Sequence, residues 1–301
     1  MRISGSLKGS WVPAYLALGF VWGCSFIFIE KGLTFLTPYG VAFGRCALGA
    51  LTLIILLKFR KLNLPRNPGI WFKLWVVSLL LNSIPGVLFA TAQEEVTSIL
   101  AGIINATTPL MTLLAMLVAF REEKVSLNQR FGLFVGAIGI LTVFGIWNGL
   151  GENSGAAVAM LLLAVLCYGI SFPYAKRNII PLKLPSEVLA TTQLILAALT
   201  LLPFYLFDGL KNNEVKLFPI LSMLALGVFG SGFAYIWNFK IIKEAGSTIA
   251  STVTYITPIV AVFMGLIFLS EPLTWNEPIG GLIVLLGAAI SQNRLVIFRR
   301  D

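Results

Sequence analysis

The sequence contains no histidine and only two aspartates, Asp208 and Asp301. Without histidine, Ser-His and Cys-His catalysis and imidazole-based metal sites are excluded. With two aspartates, no aspartate-rich motif is available to hold magnesium for diphosphate chemistry. We therefore expect no enzymatic activity, no metal and no cofactor.

Charged residues are also scarce. They make up 12% of the chain against 57% hydrophobic residues, and the mean hydropathy is +0.90. A soluble domain carries about a quarter charged residues, so this chain has too little polar surface to cover an aqueous exterior. The composition predicts an integral membrane protein with membrane lipid as a partner.

Long apolar runs predict an all-α architecture. A run of about 18 or more residues, at about 1.5 Å rise per residue, matches a hydrocarbon core about 30 Å thick. We expect ten transmembrane helices, near residues 12–29, 38–57, 70–90, 97–119, 127–146, 155–174, 184–207, 217–239, 246–269 and 278–297.

The net charge of +9 does not indicate a nucleic-acid partner, because the basic residues follow the expected membrane topology. If the chain begins in the cytoplasm, only Lys31, Lys211 and Lys216 fall in outer segments, and Arg45 falls inside the second helix. Such a bias toward the cytoplasm sets orientation. We expect a multi-pass protein of the cell inner membrane with cytoplasmic N- and C-termini.

The chain repeats itself at an offset of 149 residues. Thr108-Pro109 matches Thr257-Pro258, and Glu122 matches Glu271. This predicts two units, residues 1–150 and 151–301, of five helices each. Because five is odd, the second unit must be inverted in the membrane. Transporters built from inverted repeats bind substrate near the midplane, where the halves meet.

Each Thr-Pro pair stands in the middle of a predicted span. Proline removes a backbone hydrogen bond and kinks a helix, which the membrane tolerates only where hydroxyls, neighbours or cavity water satisfy the freed carbonyl. Our hypothesis is that Thr108, Pro109, Thr257 and Pro258 belong to helices that flex during gating. The alternative is that these prolines only set packing geometry.

Several motifs resemble one known family. They are WGCSF at 22–26, the Arg45 position, and a Thr-Pro pair followed by Glu and Gly near the end of each half (Glu122 and Gly132; Glu271 and Gly281). The whole chain resembles the EamA-like family of the drug/metabolite transporter (DMT) superfamily. The resemblance implies a bacterial inner-membrane carrier, often an exporter of amino acids, other metabolites or toxic compounds.

The predicted function is therefore a secondary transporter, specifically an exporter, of a small metabolite such as an amino acid or related amphipathic compound, working by alternating access. A channel or facilitator-type pore is the alternative function, and the sequence supports an integral membrane enzyme less than either. Side chains that carry protons are scarce within the predicted helices, so a uniporter or exchanger is as good an interpretation as a proton-coupled carrier. Sodium bound by backbone carbonyls at the kinks is the other candidate coupling ion.

Polar and aromatic residues at membrane depth are the candidates for substrate binding. They are Trp22, Ser25, Arg45, Asn82, Asn105, Tyr168, Gln193, Trp237, Asn238 and Tyr255. Aromatic faces pack apolar groups and attract cations, while amides orient polar groups. Interhelical hydrogen bonds are the alternative role for each. Arg45 either holds a substrate carboxylate or bonds to helix termini and locks the first half.

Acidic residues and glycines outside this set have structural interpretations. Glu94 or Glu95 could fold back into a cavity, but a solvated outer loop is the simpler reading. Glu122 and Glu271 fall in interhelical turns, where we expect them to cap the next helix. Gly132 and Gly136 form a small-xxx-small pair that permits close helix contact.

Overall fold

The structure is a computed structural model that describes residues 11–120, 126–145, 155–211, 216–292, 295 and 297. This part of the chain is helical, and its only β-type pairing is an isolated antiparallel bridge between Leu36 and Leu210. We number the helices in chain order. They are α1 (Val12–Gly32), α2 (Pro38–Arg60), α3 (Pro68–Ala92), α4 (Ser98–Val118), α5 (Leu127–Val143), α6 (Gly155–Leu182), α7 (Ser186–Asp208), α8 (Leu217–Ala245), α9 (Ser247–Leu269) and α10 (Asn276–Ser291).

Eight of these helices are long and apolar enough to cross a membrane. The other two, α5 with 17 residues and α10 with 16, are apolar but shorter. At about 1.5 Å per residue they reach about 25 Å, slightly less than the hydrocarbon thickness. All ten overlap the apolar runs predicted from sequence, and the count of ten spans stays a prediction.

Local capping explains where several helices begin. The Thr37 hydroxyl accepts a hydrogen bond from the Gly40 amide at the start of α2, and the Asn67 side chain accepts one from the Gly69 amide at α3. Thr97 does the same for the Leu100 amide at α4. These side chains satisfy amides that have no partner inside their own helix. At α5, Ser126 and Gln129 form a capping box.

Three of the five pairs of equivalent helices in the repeat pack antiparallel to each other. The Thr37 hydroxyl at the start of α2 donates to the Asp208 carbonyl at the end of α7, 2.5 Å away. At the opposite ends, Arg60 and Glu187 form a 2.7 Å ion pair. In the same way α4 pairs with α9, and α5 with α10.

In the α5–α10 pair the two helices approach closely along their length, because glycines face backbone. A Cβ on Gly132 would lie 2.5 Å from the Gly287 carbonyl oxygen, and one on Gly139 would lie 2.6 Å from the Val284 nitrogen. Such approach is possible only without side chains at the contact. Gly132 thus serves packing against α10. A Cβ on Gly136 would lie 2.2 Å from Leu110 Cδ1, so Gly136 serves packing against α4, and its backbone also lies close to Gly287 of α10.

Irregular turns recur at equivalent places in both halves. A π-helical turn at Leu79–Ser83 in α3 is matched by one at Val228–Phe233 in α8. Another at Met116–Phe120, at the end of α4, is matched by one at Gly265–Leu269, at the end of α9. A π-helical turn disturbs the regular hydrogen-bond ladder and is frequent at functional sites.

Candidate functional site

Helices α4 and α9 are both broken in the middle, immediately before their prolines. In α4 an α-helical segment Ser98–Asn105 is followed by a turn at residues 106–107 and a second segment Thr108–Ala115. In α9 the segment Ser247–Ser251 passes through a 3-10 turn, Thr252–Tyr255, into Thr257–Met264. Each proline stands in the first turn of its second segment, where a missing amide is tolerated.

The threonine before each proline bonds the carbonyl that the proline leaves without an amide partner. Thr108 Oγ1 donates to the Asn105 carbonyl at 2.7 Å, and Thr257 Oγ1 donates to the Thr254 carbonyl at 2.9 Å. Proline cannot donate to the residue four positions earlier, so these hydroxyls replace the lost hydrogen bond. Side chains thereby satisfy both breaks within the membrane-spanning part of the protein.

A cavity of about 40 Å³ lies at the level of the two breaks. Asn105 and Thr254, which stand at equivalent positions in the two halves, both line it. Asn105 Nδ2 donates to Thr257 Oγ1 across the halves at 3.2 Å. The volume is room for a few water-sized groups, so a larger solute requires the cavity to widen. Its remaining lining residues come from α1, α2, α3, α6 and α8.

Arg45 supplies the charge in this cavity. Its side chain is buried, at 7% exposure, and Nε donates to Ser231 Oγ at 3.0 Å. A second nitrogen, Nη2, donates to the Gly230 carbonyl at 3.4 Å. Both acceptors are neutral and lie in the π-helical turn of α8, so Arg45 connects the two halves and does not lock the first half to itself.

No carboxylate pairs with Arg45 within the described part of the chain. A guanidinium has five N–H donors, and the contacts with α8 use two. A buried charge that is only partly compensated is costly, and it attracts an anion that reaches it. The arrangement therefore has the chemistry of a carboxylate-binding group on the wall of a cavity.

Gln193 and Asn82 form a neutral contact between the two halves that corresponds to the contact of Arg45 with Ser231. Gln193 Nε2 donates to Asn82 Oδ1, linking α7 to the π-helical turn of α3. Asn82 stands 149 positions before Ser231, so the two contacts are related by the repeat. Only the Arg45 contact lies on the cavity wall. The charged member of the two related contacts, Arg45 of α2, therefore lies on the cavity wall, and the neutral Gln193 of α7 does not.

Aromatic side chains form much of the remaining wall. Trp22 packs edge-on against Tyr235, with ring centroids 6.1 Å apart, and Phe89 stacks on Tyr168 at 5.8 Å. The Tyr235 hydroxyl donates to the Leu81 carbonyl at 3.0 Å, which holds its ring in place. These rings offer apolar faces beside the Arg45 charge, a combination suited to an amphipathic solute.

The structure brings together five of the ten residues predicted for substrate binding. Trp22, Ser25, Arg45, Asn105 and Tyr168 line the cavity. The other five do not: Asn82 and Gln193 bond to each other, Asn238 is fully buried in α8, Trp237 packs near Phe233, and Tyr255 packs against the α4–α10 side of the protein. For Asn82 and Gln193 the structure shows the interhelical hydrogen bond named as their alternative role.

Sequence reasoning missed several cavity residues. Phe172 and Tyr235 are on the wall, as are Phe26, Phe89 and Thr254. A signal was present for two of them, because WGCSF at 22–26 resembles YGISF at 168–172. The first and last residues of both motifs, Trp22 with Phe26 and Tyr168 with Phe172, line the cavity. Phe89 and Tyr235 belong to no repeated motif.

The acidic residues considered from sequence lie away from the cavity. Glu94 and Glu95 are exposed, and Glu94 pairs with Lys211 at 2.8 Å, so the solvated-loop interpretation fits the structure. Glu271 does cap a helix, but the helix is α4 and not the next one, α10. Glu122 lies outside the described residues. Over the described ranges, no three His, Cys, Asp or Glu residues cluster in a way that would hold a metal ion.

Comparison with known families gives a match to the EamA-like transporter family at residues 9–145 and again at 155–292. An "uncharacterized transporter" of Archaeoglobus fulgidus is 25% identical over 93% of this chain and 97% of its own length. YoaV of Bacillus subtilis, also named an uncharacterized transporter, is 23% identical over 95% and 97%. YedA of Escherichia coli, named an uncharacterized inner membrane transporter, is 24% identical over 84% and 80%.

A solved crystal structure has the same fold, with a TM-score of 0.69 over 96% of this chain and 100% of its own, at 18% identity. The double family match covers nearly all of the chain, and eight described helices are able to cross a membrane. The chain therefore belongs to the EamA-like transporter family and is a multi-pass membrane transporter.

Proposed function

We propose that the protein is a secondary carrier that exports small carboxylate-bearing amphipathic metabolites, such as amino acids, by alternating access. The observation that carries the substrate class is Arg45, a buried cation on the wall of a cavity shared by both halves. The carboxylate binds the free guanidinium donors, and the apolar part of the substrate packs on the aromatic rings of Trp22 and Tyr168.

The test compares leucine with leucinamide, which has the same side chain without the carboxylate. We expect purified wild-type protein in liposomes to accumulate labelled leucine by counterflow, and an excess of leucine, but not of leucinamide, to compete. Arg45→Gln should raise the half-saturating leucine concentration about tenfold or more, since a hydrogen bond to a charged group is lost. Arg45→Lys should retain part of the affinity.

Arg60→Gln is the matched control, because Arg60 carries the same charge in α2 but pairs with Glu187 at the exposed end of the helix. It should transport leucine as the wild type does. Equal competition by leucinamide, or full activity of Arg45→Gln, would refute the carboxylate site. A leucine flux that saturates with concentration, and that becomes faster when leucine is present on the opposite side of the membrane, would identify a carrier and not a channel.

The alternating-access mechanism rests on two units, 1–150 and 151–301, inverted in the membrane. The double family match and the antiparallel packing of α2 with α7 support this proposal. So does the recurrence of a helix break at the same place in α4 and α9. An exchange of conformations between two such units would open the cavity first to one side and then to the other.

Thr108, Pro109, Thr257 and Pro258 are the proposed gating residues, since a break is where a helix bends at least cost. We expect Pro109→Ala combined with Pro258→Ala to slow leucine counterflow about tenfold or more while the protein stays folded. Pro203→Ala is the control, because Pro203 lies inside α7 and faces outward. Wild-type flux in the double variant would leave the prolines with a packing role only.

We place the protein in the inner membrane with both termini in the cytoplasm. The location named for the E. coli relative and the basic bias of the predicted cytoplasmic segments support this. Export in the absence of any imposed proton or sodium gradient would favour uniport or exchange. A requirement for one of those gradients would identify the coupling ion.

A further inference from the structure

The carboxylate of Glu271 joins the two halves at the end of the α4–α9 contact that lies away from the cavity. Glu271 follows α9, where Ser270 has a left-handed backbone with φ of 52° that turns the chain back toward the bundle. Glu271 Oε1 accepts a hydrogen bond from the Ser98 amide at 2.9 Å. Oε2 accepts from the Ser98 hydroxyl at 2.9 Å and from the Ile99 amide at 3.0 Å.

Two of these three bonds satisfy amides in the first turn of α4. Amides of a first helical turn have no partner within the helix, and the positive end of the helix dipole favours an anion there. Thr97 serves the Leu100 amide, so the Ser98 and Ile99 amides depend on Glu271. Ser98 and Ile99 are buried. If Glu271 leaves, this helix end must gain water or another acceptor.

Below Glu271, the same segments of α4 and α9 stay in contact down to the cavity. A Cβ on Gly102 would lie 2.4 Å from the Ala261 Cβ, so the two helices touch closely there. One turn further, Asn105 bonds to Thr257 and lines the cavity. Glu271, the Gly102–Ala261 contact and the Asn105–Thr257 bond therefore form one continuous seam between α4 and α9, which runs from the Glu271 end of these helices to the cavity.

We propose that the Glu271 carboxylate is the latch of this seam: it must release Ser98 and Ile99 before the cavity opens at this end. The latch rests on the alternating-access part of the proposed function and not on the substrate. Glu271 thus sets the balance between the closed and open forms of one side, although it touches no substrate.

The test measures how fast a cavity cysteine reacts from each side of the membrane. Ser25 lines the cavity, so Ser25→Cys is the reporter, with the native Cys24, Cys46 and Cys167 replaced by alanine. A membrane-impermeant methanethiosulfonate reagent is added to right-side-out vesicles and, separately, to inside-out vesicles. No substrate is present, so the rate reports the conformational balance alone.

We expect Glu271→Gln to raise the labelling rate about tenfold from the side that bears Glu271, since the amide nitrogen cannot accept from a backbone amide. Labelling from the opposite side should stay the same or fall. Glu95→Gln is the matched control: it removes the same charge three residues before α4, but Glu95 is exposed. Its labelling rates should equal those of the reporter alone.

Ser98→Ala gives a second, milder measurement, because it removes the hydroxyl contact and keeps both amide contacts. It should raise the rate severalfold and keeps the proposal testable if Glu271→Gln does not fold. Unchanged rates in the folded variants, or equal increases from both sides, would overturn the latch. A wild type that fails leucine counterflow while Glu271→Gln shows the one-sided increase would lose the proposed substrate and keep the latch.

Discussion

Single hydroxyls make the helix breaks possible at membrane depth. Thr108 and Thr257 each donate to the carbonyl that the following proline leaves without a partner. Thr257 has a second role, since its hydroxyl also accepts from Asn105 in the other half. An unsatisfied carbonyl is costly where no water reaches it, so these hydroxyls stabilise the conformation in which both helices are broken.

At this scale we predict the effect of removing one hydroxyl at constant shape. Thr257→Val should lower the free energy of unfolding by about 1 kcal/mol or more, because a buried carbonyl and the Asn105 amide both lose a partner. Thr52→Val is the control: the Thr52 hydroxyl donates to the Leu48 carbonyl inside the regular helix α2, where a backbone amide already donates to that carbonyl. Thermal unfolding in detergent measures both, and equal losses would contradict the role of Thr257.

The two short helices α5 and α10 show how glycines at facing positions determine helix packing in this fold. The contact of α5 with α10 is made of backbone on both sides, since glycines occupy the facing positions. Apolar association is weak between helices in lipid, so close van der Waals contact carries more of the stability there. The two shortest helices of the described chain thus pack against each other backbone to backbone.

For this pair we predict that alanine substitutions at two glycines of α10, Gly287 and Gly281, differ sharply in their effect on stability. Gly287→Ala would place a Cβ 2.4 Å from the Gly136 nitrogen, so α5 and α10 must separate. The expected loss is about 1–3 kcal/mol of stability. At Gly281 the nearest atom would be 3.3 Å away, on the Ile103 side chain, so Gly281→Ala should be close to neutral. Similar unfolding temperatures for the two variants would contradict this account.

At the scale of the whole molecule, we have proposed two similar halves that run in opposite directions. This proposal predicts which ends of the helices share a side of the membrane. Glu95 and Lys216, one in each half, should be outside, and Lys61 and Lys183 should be inside. All four are exposed, so a cysteine at any of them is open to a reagent.

The measurement is labelling of single cysteines in intact cells by an impermeant maleimide. Glu95→Cys and Lys216→Cys should react, while Lys61→Cys and Lys183→Cys should react only after the cells are opened. The native cysteines are buried, which keeps the background low. Reaction of Lys183→Cys in intact cells would contradict the inverted second half.

The sequence predicted the helices well, because apolar runs and turn residues are local signals. It also predicted the breaks at both prolines, because proline cannot donate the amide hydrogen bond that a continuous helix needs. The division into two inverted units stays a prediction. The cavity was only half predicted. A helix that is apolar on every face has no hydrophobic periodicity, so its sequence does not show which face points to the cavity. Nothing in the local sequence therefore distinguishes Asn105, which lies on the cavity wall, from Asn82, which bonds to Gln193.

The guanidinium of Arg45 also bears on the electrical work of transport. A guanidinium group does not release its proton, so the positive charge of Arg45 stays with the protein and adds nothing to the charge that the solute carries across. When a monovalent anion leaves a cell whose interior is negative, the membrane potential lowers the free energy of transport by about 2.3 kcal/mol per 100 mV. For a zwitterion, which has no net charge, the potential has no such effect. A wall that selects carboxylates would therefore let membrane voltage drive the efflux of anionic solutes.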